Sequence, residues 1–203
     1  KKGIHATRLH DLPSRFAVIP RYGNPEDIKW FEADPTYVLH WNNAYEIGDD
    51  VILEGDFQEH PWPENYVDAP PGLERMMAFL DFSLLKPRLH RWKFNLKTGA
   101  TTEEDICNET IEFGVINQRI AGLEHKYTYS MVPTKGHFTF DGITKHDHQK
   151  KSLTKYIFPE HIFISEVSFA PKTNGIDEDD GYLVTISNDV REKSSSCLLF
   201  DAK

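Results

Sequence analysis

Short apolar and alternating runs, broken at Gly, Pro, Asn or Asp, recur along the whole chain. Phe16-Ala17-Val18-Ile19-Pro20, Thr36-Tyr37-Val38-Leu39-His40 and Asp50-Val51-Ile52-Leu53-Glu54 are rich in the β-branched and aromatic residues that suit a pleated, half-buried surface. The same pattern predicts strands at Leu89–Leu96, Glu112–Ile116, Tyr127–Val132, Ile143–His146, Ile162–Ser165, Tyr182–Ser187 and Cys197–Phe200. Turn chemistry separates them, as at Tyr22-Gly23-Asn24-Pro25, Lys97-Thr98-Gly99 and Asp179-Asp180-Gly181. Only 72–85 has a helical period, with Leu73, Met76, Met77 and Leu80 on one face. Met76 and Met77 read there as ordinary packing residues.

Three strand ends resemble one another: Arg91–Gly99, Thr144–Lys150 and Leu198–Lys203. Each closes on Asn or Asp before a polar turn with Lys. The anchors Asn95, Asp147 and Asp201 are 52 and 54 residues apart. A period near 50 with about four short strands per repeat is that of propeller blades. The predicted fold is therefore all-β, a β-propeller of which this chain holds about four blades. The first and last residues, Lys1-Lys2-Gly3 and Phe200-Asp201-Ala202-Lys203, read as cuts in a longer protein. Residues 1–203 are thus expected to be part of a single β-propeller domain, incomplete at both ends.

Composition narrows the partners. The 203 residues carry 23 Lys+Arg against 32 Asp+Glu, a net charge of −9, which argues against a duplex nucleic-acid binder. Hydrophobic residues at 39% suffice for a core and argue against disorder. The longest apolar runs, such as Met76–Leu80, fall far short of the roughly 20 residues of a membrane-spanning helix. Cys107 and Cys197 suit neither a disulfide scaffold nor a zinc ribbon and read as unpaired thiols. The sequon Asn108-Glu109-Thr110 carries little weight without a secretory signal.

Candidate chemistry rests on His and Glu. His40 ends an apolar strand ahead of Asn42-Asn43-Ala44-Tyr45-Glu46, where a neutral imidazole is either a transition-metal ligand or an ordinary packed histidine. His146-Asp147-His148 places two imidazoles on one strand face, but it coincides with the repeated turn and reads as exposed. His5, His10, His60, His90, His125, His137 and His161 have no distinguishing spacing. Glu112 and Glu160 each adjoin a bulky apolar strand. A buried carboxylate there needs a donor such as an imidazole N–H; an exposed one merely caps a strand end. The acidic run Asp177–Asp180 reads as a solvated turn. No phosphate loop, nucleophile elbow or His-Glu-x-x-His pair is present.

Taken in order, six segments resemble the carotenoid cleavage oxygenases, a family that includes stilbene-cleaving dioxygenases and the retinal isomerohydrolase. They are Pro13–Arg21, His40–Glu46, Arg88–Trp92, Ile111–Asn117, Glu160–Ile164 and Glu178–Leu183. The resemblance implies a seven-bladed β-propeller with iron(II) on its axis, held by four histidines of which three are oriented by glutamates. It makes His40 one of the four iron ligands and Glu112 and Glu160 two of the orienting glutamates, with the other three ligands outside this chain. Two positions depart from the pattern: Gly114 stands where the family usually has Pro, and His161 where Pro often follows the glutamate. The implied activity is cleavage of a conjugated C=C bond of a carotenoid, apocarotenoid or stilbene-like substrate to two carbonyl products. Fe(2+) is the cofactor and O2 the co-substrate; the redox-neutral isomerohydrolase and a non-enzymatic binding propeller are the alternatives. Family members take hydrophobic polyenes from or near membranes, and Met76, Met77, Phe79, Leu80, Phe82, Leu84 and Leu85 read first as core, with a membrane-contacting patch or a tunnel lining as the alternatives. A cytoplasmic or plastid location is expected.

Overall fold

The computed structural model describes residues 12–63, 68, 70–136 and 138–203; His5, His10 and His137 lie outside them. Two complete antiparallel meanders dominate. The first runs β3 (Tyr37–Ile47), β4 (Asp50–Gln58), β5 (Arg88–Asn95) and β6 (Thr101–Asp105). The second runs β7 (Glu112–Val115), β8 (Tyr127–Pro133), β9 (Phe140–Asp147) and β10 (Ser152–Ile157). Before them, β1 (Ser14–Val18) pairs with β2 (Lys29–Ala33), Phe16 opposite Phe31. After them, β12 (Ser168–Pro171), β13 (Gly181–Asp189) and β14 (Ser194–Asp201) form a three-stranded meander. The short β11 (Ile162–Ile164) pairs with β13 and touches β9 through Ile164 and Phe140. These are parts of four propeller blades, two of them complete.

The repeat anchors occupy one structural position, the end of the third strand of a blade. Asn95 Oδ1 accepts the N–H groups of Lys97 and Thr98 at 3.1 and 2.8 Å. Asp147 Oδ1 accepts those of Gln149 and Lys150 at 3.0 and 2.9 Å, and Asp201 Oδ1 that of Lys203 at 3.1 Å. A short carboxyl or amide side chain that folds onto the next N–H groups ends a strand in a tight turn, and this chemistry generates the period.

All ten sequence-predicted strands form, but four observed ones, β2, β6, β10 and β12, lack the expected pattern. The outer strands β6 (Thr-Thr-Glu-Glu-Asp) and β10 are largely solvated, so no apolar alternation marks them. The predicted helix divides into α1 (Leu73–Phe79) and α2 (Phe82–Leu85). Asp81 breaks it and caps α2, accepting Ser83 N–H at 3.0 Å. Met76 and Met77 are not core: α1 buries no residue and Met76 is exposed, whereas Phe82 and Leu85 are buried. Among the described residues no helix is long and apolar enough to cross a membrane. The acidic run is a built turn rather than a merely solvated one. Glu178 accepts the N–H groups of Lys126 and Tyr127 at the start of β8, and Asp179 pairs with Lys145 at 2.7 Å.

Apolar side chains fill two seams. Phe31, Phe57, Trp92 and Phe94 pack between the β1–β2 pair and the first complete blade. Tyr129, Met131, Phe140, Ile143, Leu183 and Ala202 pack between the second and the last. The seam between the two complete blades is crossed instead by hydrogen bonds and ion pairs, and it carries both polar sites described next.

Candidate metal-binding site

The first strands of the two complete blades, β3 and β7, lie side by side. Both are irregular where they meet. β3 slips register against β4 between Val38 and Asn43, the stretch that carries His40. β7 is bulged between Glu112 and Val115, and Phe113 there has φ +57°. A bulge re-aims side chains, and a non-glycine residue in the left-handed region costs about 1–3 kcal/mol unless its surroundings hold it. Here the bulge turns Glu112 and Phe113 together onto His40. His40 Nδ1 lies 2.7 Å from Glu112 Oε2, and the Phe113 ring covers one imidazole face at a centroid distance of 4.0 Å and 32°. Glu112 is fully buried, while the His40 side chain is 36% exposed. Among the described residues nothing hydrogen-bonds Nε2 of His40. The hydrogen bond to Glu112 raises the proton affinity of His40 above the ordinary imidazole value; burial opposes it, and the charges of Glu112 and Glu166 add to it.

Glu112 Oε2 also accepts the N–H of Phe113, but its Oε1 is buried without a hydrogen-bond partner among the described residues. Behind the bulge sits Asp56, fully buried on β4. Its Oδ2 accepts Gly114 N–H at 3.2 Å and its Oδ1 faces Asn42 Nδ2 at 3.4 Å. Burial, then the charge of Glu112, raises its carboxyl well above the usual range. Gly114, the departure from the family's Pro, is explained here. Pro has no N–H to give Asp56, and a Cβ at 114 would stand 2.3 Å from Asn42 Nδ2.

Glu160 is not brought to this site. It is exposed in the turn between β10 and β11, and its neighbour His161 lies 3.7 Å from Asp189. The charge of Glu166, in the loop between β11 and β12, adds to that of Glu112 in raising the proton affinity of His40.

A second polar group lies on the same seam. His146 and His148, expected in an exposed turn, are buried, because the inner blade seam covers this end of β9. Glu54, His125 and His148 offer ligand atoms within 4.8 Å of one another, a spacing compatible with a metal ion. The hydrogen bonds describe another use. Asn43 is fixed by two backbone partners, accepting from Gly122 N–H at 3.0 Å and donating to the Leu123 carbonyl at 2.9 Å. Its Nδ2 therefore also donates to His125 Nδ1 at 3.1 Å, while Arg91 Nη2 donates to His148 Nδ1 at 3.2 Å. Amide and guanidinium nitrogens only donate, so both imidazoles carry their hydrogen on Nε2. Both Nε2 atoms meet Thr128 Oγ1, at 3.1 and 2.8 Å. An ion here would displace that hydroxyl and reverse both tautomers against fixed donors. Arg91 instead holds Glu54, with Nε 2.8 Å and Nη2 2.6 Å from Oε1. Burial would raise Glu54, but His125, the charge of His148 and Arg91 hold it at about 2.

Burial pushes His148 down to about 3. Unfolding frees it to take a proton below the ordinary value of 6.5, so its contribution is complete above that pH and lost as the pH falls towards 3. The loss is about 1.4 kcal/mol per pH unit per proton. Urea midpoints between pH 7 and 5 should therefore fall more steeply for the wild type than for His148→Gln. Equal slopes would show that His148 is not buried as a neutral imidazole.

Known proteins share this architecture. The family model described as retinal pigment epithelial membrane protein (RPE65) matches residues 2–203. Carotenoid 9,10(9',10')-cleavage dioxygenase 1 of Phaseolus vulgaris is 30% identical over 205 residues, covering 94% of this chain and 36% of that protein. The carotenoid cleavage oxygenase of Mycobacterium tuberculosis is 30% identical over 200 residues, covering 94% of this chain and 38% of that protein. Isoeugenol monooxygenase of Pseudomonas putida is 25% identical over 205 residues, with 94% and 41% covered. Among solved structures, cobalt-substituted Synechocystis ACO superposes with a TM-score of 0.81 at 23% identity, over 96% of this chain and 39% of that one. The chain thus spans about two fifths of the length of the relatives it matches.

Proposed function

Since the chain belongs to the family of the retinal pigment epithelial membrane protein and the carotenoid cleavage oxygenases, we propose that the protein carrying it is a non-haem iron(II) dioxygenase. Its substrate is a carotenoid, apocarotenoid or stilbene-like alkene, and its products are two carbonyl compounds. His40 is one of the iron ligands, and Glu112 fixes its orientation. The observation that carries this reading is the His40–Glu112 contact of 2.7 Å, which commits Nδ1 and leaves Nε2 open at a half-buried position. Metal-bound imidazoles commonly donate their other N–H to a carboxylate in this way.

When bound, iron(II) supplies the activation of dioxygen that no side chain can perform. The chain's own residues do the rest. Glu112 keeps the Nδ1 hydrogen on its own side and so presents the Nε2 lone pair to the metal. Phe113 shields one face of the imidazole and prevents rotation. The charge of Glu166 adds to that of Glu112 in raising the proton affinity of His40. Leu73, Met76 and Leu84 on α1 and α2 are exposed apolar side chains, the kind suited to receiving a polyene from a membrane.

Glu112→Gln keeps the shape of the side chain but removes the charge that supports the imidazole. It should lower iron affinity or turnover by about 10–100-fold with the fold intact, read by iron stoichiometry, circular dichroism and oxygen-dependent product formation. Wild-type iron and turnover in this variant would refute the assignment. Alkene isomerisation without oxygen uptake would place the protein in the redox-neutral branch, and a protein devoid of iron would be a binding propeller.

A further inference from the structure

We propose that Asp56 is a positioning residue for this site: it pegs the β7 bulge from behind and thereby holds Glu112 and Phe113 against His40. The inference deepens the reading above and names a group that reading does not use. Three observations carry it. Phe113 occupies the left-handed region at φ +57°, a conformation that needs external support. Asp56, fully buried, supplies that support from the neighbouring blade by accepting Gly114 N–H at 3.2 Å. Asn42, two residues beyond His40, completes the arrangement by donating to Asp56 at 3.4 Å and filling the space above Gly114. Asp56, Asn42 and Gly114 form one unit, since Pro at 114 would remove the N–H and any side chain there would meet Asn42.

This role requires an acceptor for Gly114 N–H at position 56, not a charge. An amide at 56 keeps that oxygen, and once the Asn42 amide turns over, the new Nδ2 at 56 can donate to Asn42 Oδ1, which is buried without a partner among the described residues. Asp56→Asn should therefore preserve the site, while Asp56→Ala leaves the bulge unpegged.

The test reads the His40–Glu112 hydrogen bond directly, in the metal-free protein that carries this chain. Labelled with 15N-histidine, it should show a strongly downfield imidazole proton that disappears in His40→Gln. The signal should persist in Asp56→Asn and be lost in Asp56→Ala, with circular dichroism unchanged. If Asp56→Ala does not fold, Asp56→Ser serves in its place; it keeps one acceptor, and its signal should be weakened and exchange-broadened. An unchanged signal in the Ala or Ser variant, or its loss in Asp56→Asn, would overturn the proposal. Iron binding is measured separately. Absent iron with the expected signals would remove the dioxygenase reading and leave the role of Asp56 standing.

Discussion

His40→Ala, made in the protein that carries this chain, is expected to fold with a lowered thermal midpoint, hold little iron and lose oxygen-dependent alkene cleavage to background. The imidazole is only half buried, and its removal takes little apolar surface from either core, neither of which includes His40. Its chemistry has no substitute nearby. Glu112 would be left fully buried and without its imidazole, so the variant loses a ligand and gains an unpaired carboxylate at one stroke. The loss should exceed the roughly 10–100-fold typical of residues that only orient a ligand. His40→Gln, which keeps a hydrogen-bond donor for Glu112, should recover stability without recovering iron. The measurements are iron stoichiometry, thermal midpoint and product formation, side by side. Full iron and full turnover in His40→Ala would sink the assignment of His40 and the enzymatic reading of this chain with it.

Arg91→Met should be the most damaging single change to stability on the inner seam. Glu54 is fully buried, and the Arg91 guanidinium meets it at 2.6 and 2.8 Å while also holding His148. Removing one partner of a fully buried pair strands the other charge and costs about 3–5 kcal/mol; here Arg91 is 26% exposed and Glu54 keeps His125 Nε2 at 3.1 Å and Tyr45 Oη at 3.3 Å, so the loss should fall below that. A methionine of similar reach fills the space without restoring the charge. Adding Glu54→Gln to Arg91→Met removes the stranded carboxylate, so the double variant should recover most of the loss, as interacting sites do in a thermodynamic cycle. Denaturant midpoints of the four proteins at pH 7 decide the matter. Additive losses would show that the two side chains act independently.

Local chemistry made much of the fold legible in the sequence. Asn95, Asp147 and Asp201 each fold a side chain onto the N–H groups that follow, so a period in the sequence became a period in space. Strands with one buried face announced themselves, as β13 does with its alternating burial. The outer strands β6 and β10 did not, because most of their residues meet water and nothing selects an apolar alternation. The sites were legible only in part. His40 and Glu112 stand 72 positions apart and meet through two irregular strands, a contact that no local pattern encodes; the family resemblance named the residues. His146 and His148 looked exposed because their turn is polar, yet the neighbouring blade covers them. Asp56 carried no signal, since its importance comes from a bulge on another blade.

The three seams respond to different stresses. Two are apolar and the one between the complete blades is polar. Apolar burial loses driving force on cooling, whereas the inner seam depends on the protonation of His148 and on the Arg91–Glu54 pair. Cold should therefore loosen the outer seams first, and acid the inner one. The two stresses would cut the same molecule into different pieces, with the strands β3 and β7, which carry His40 and Glu112, kept together in the cold and separated in acid.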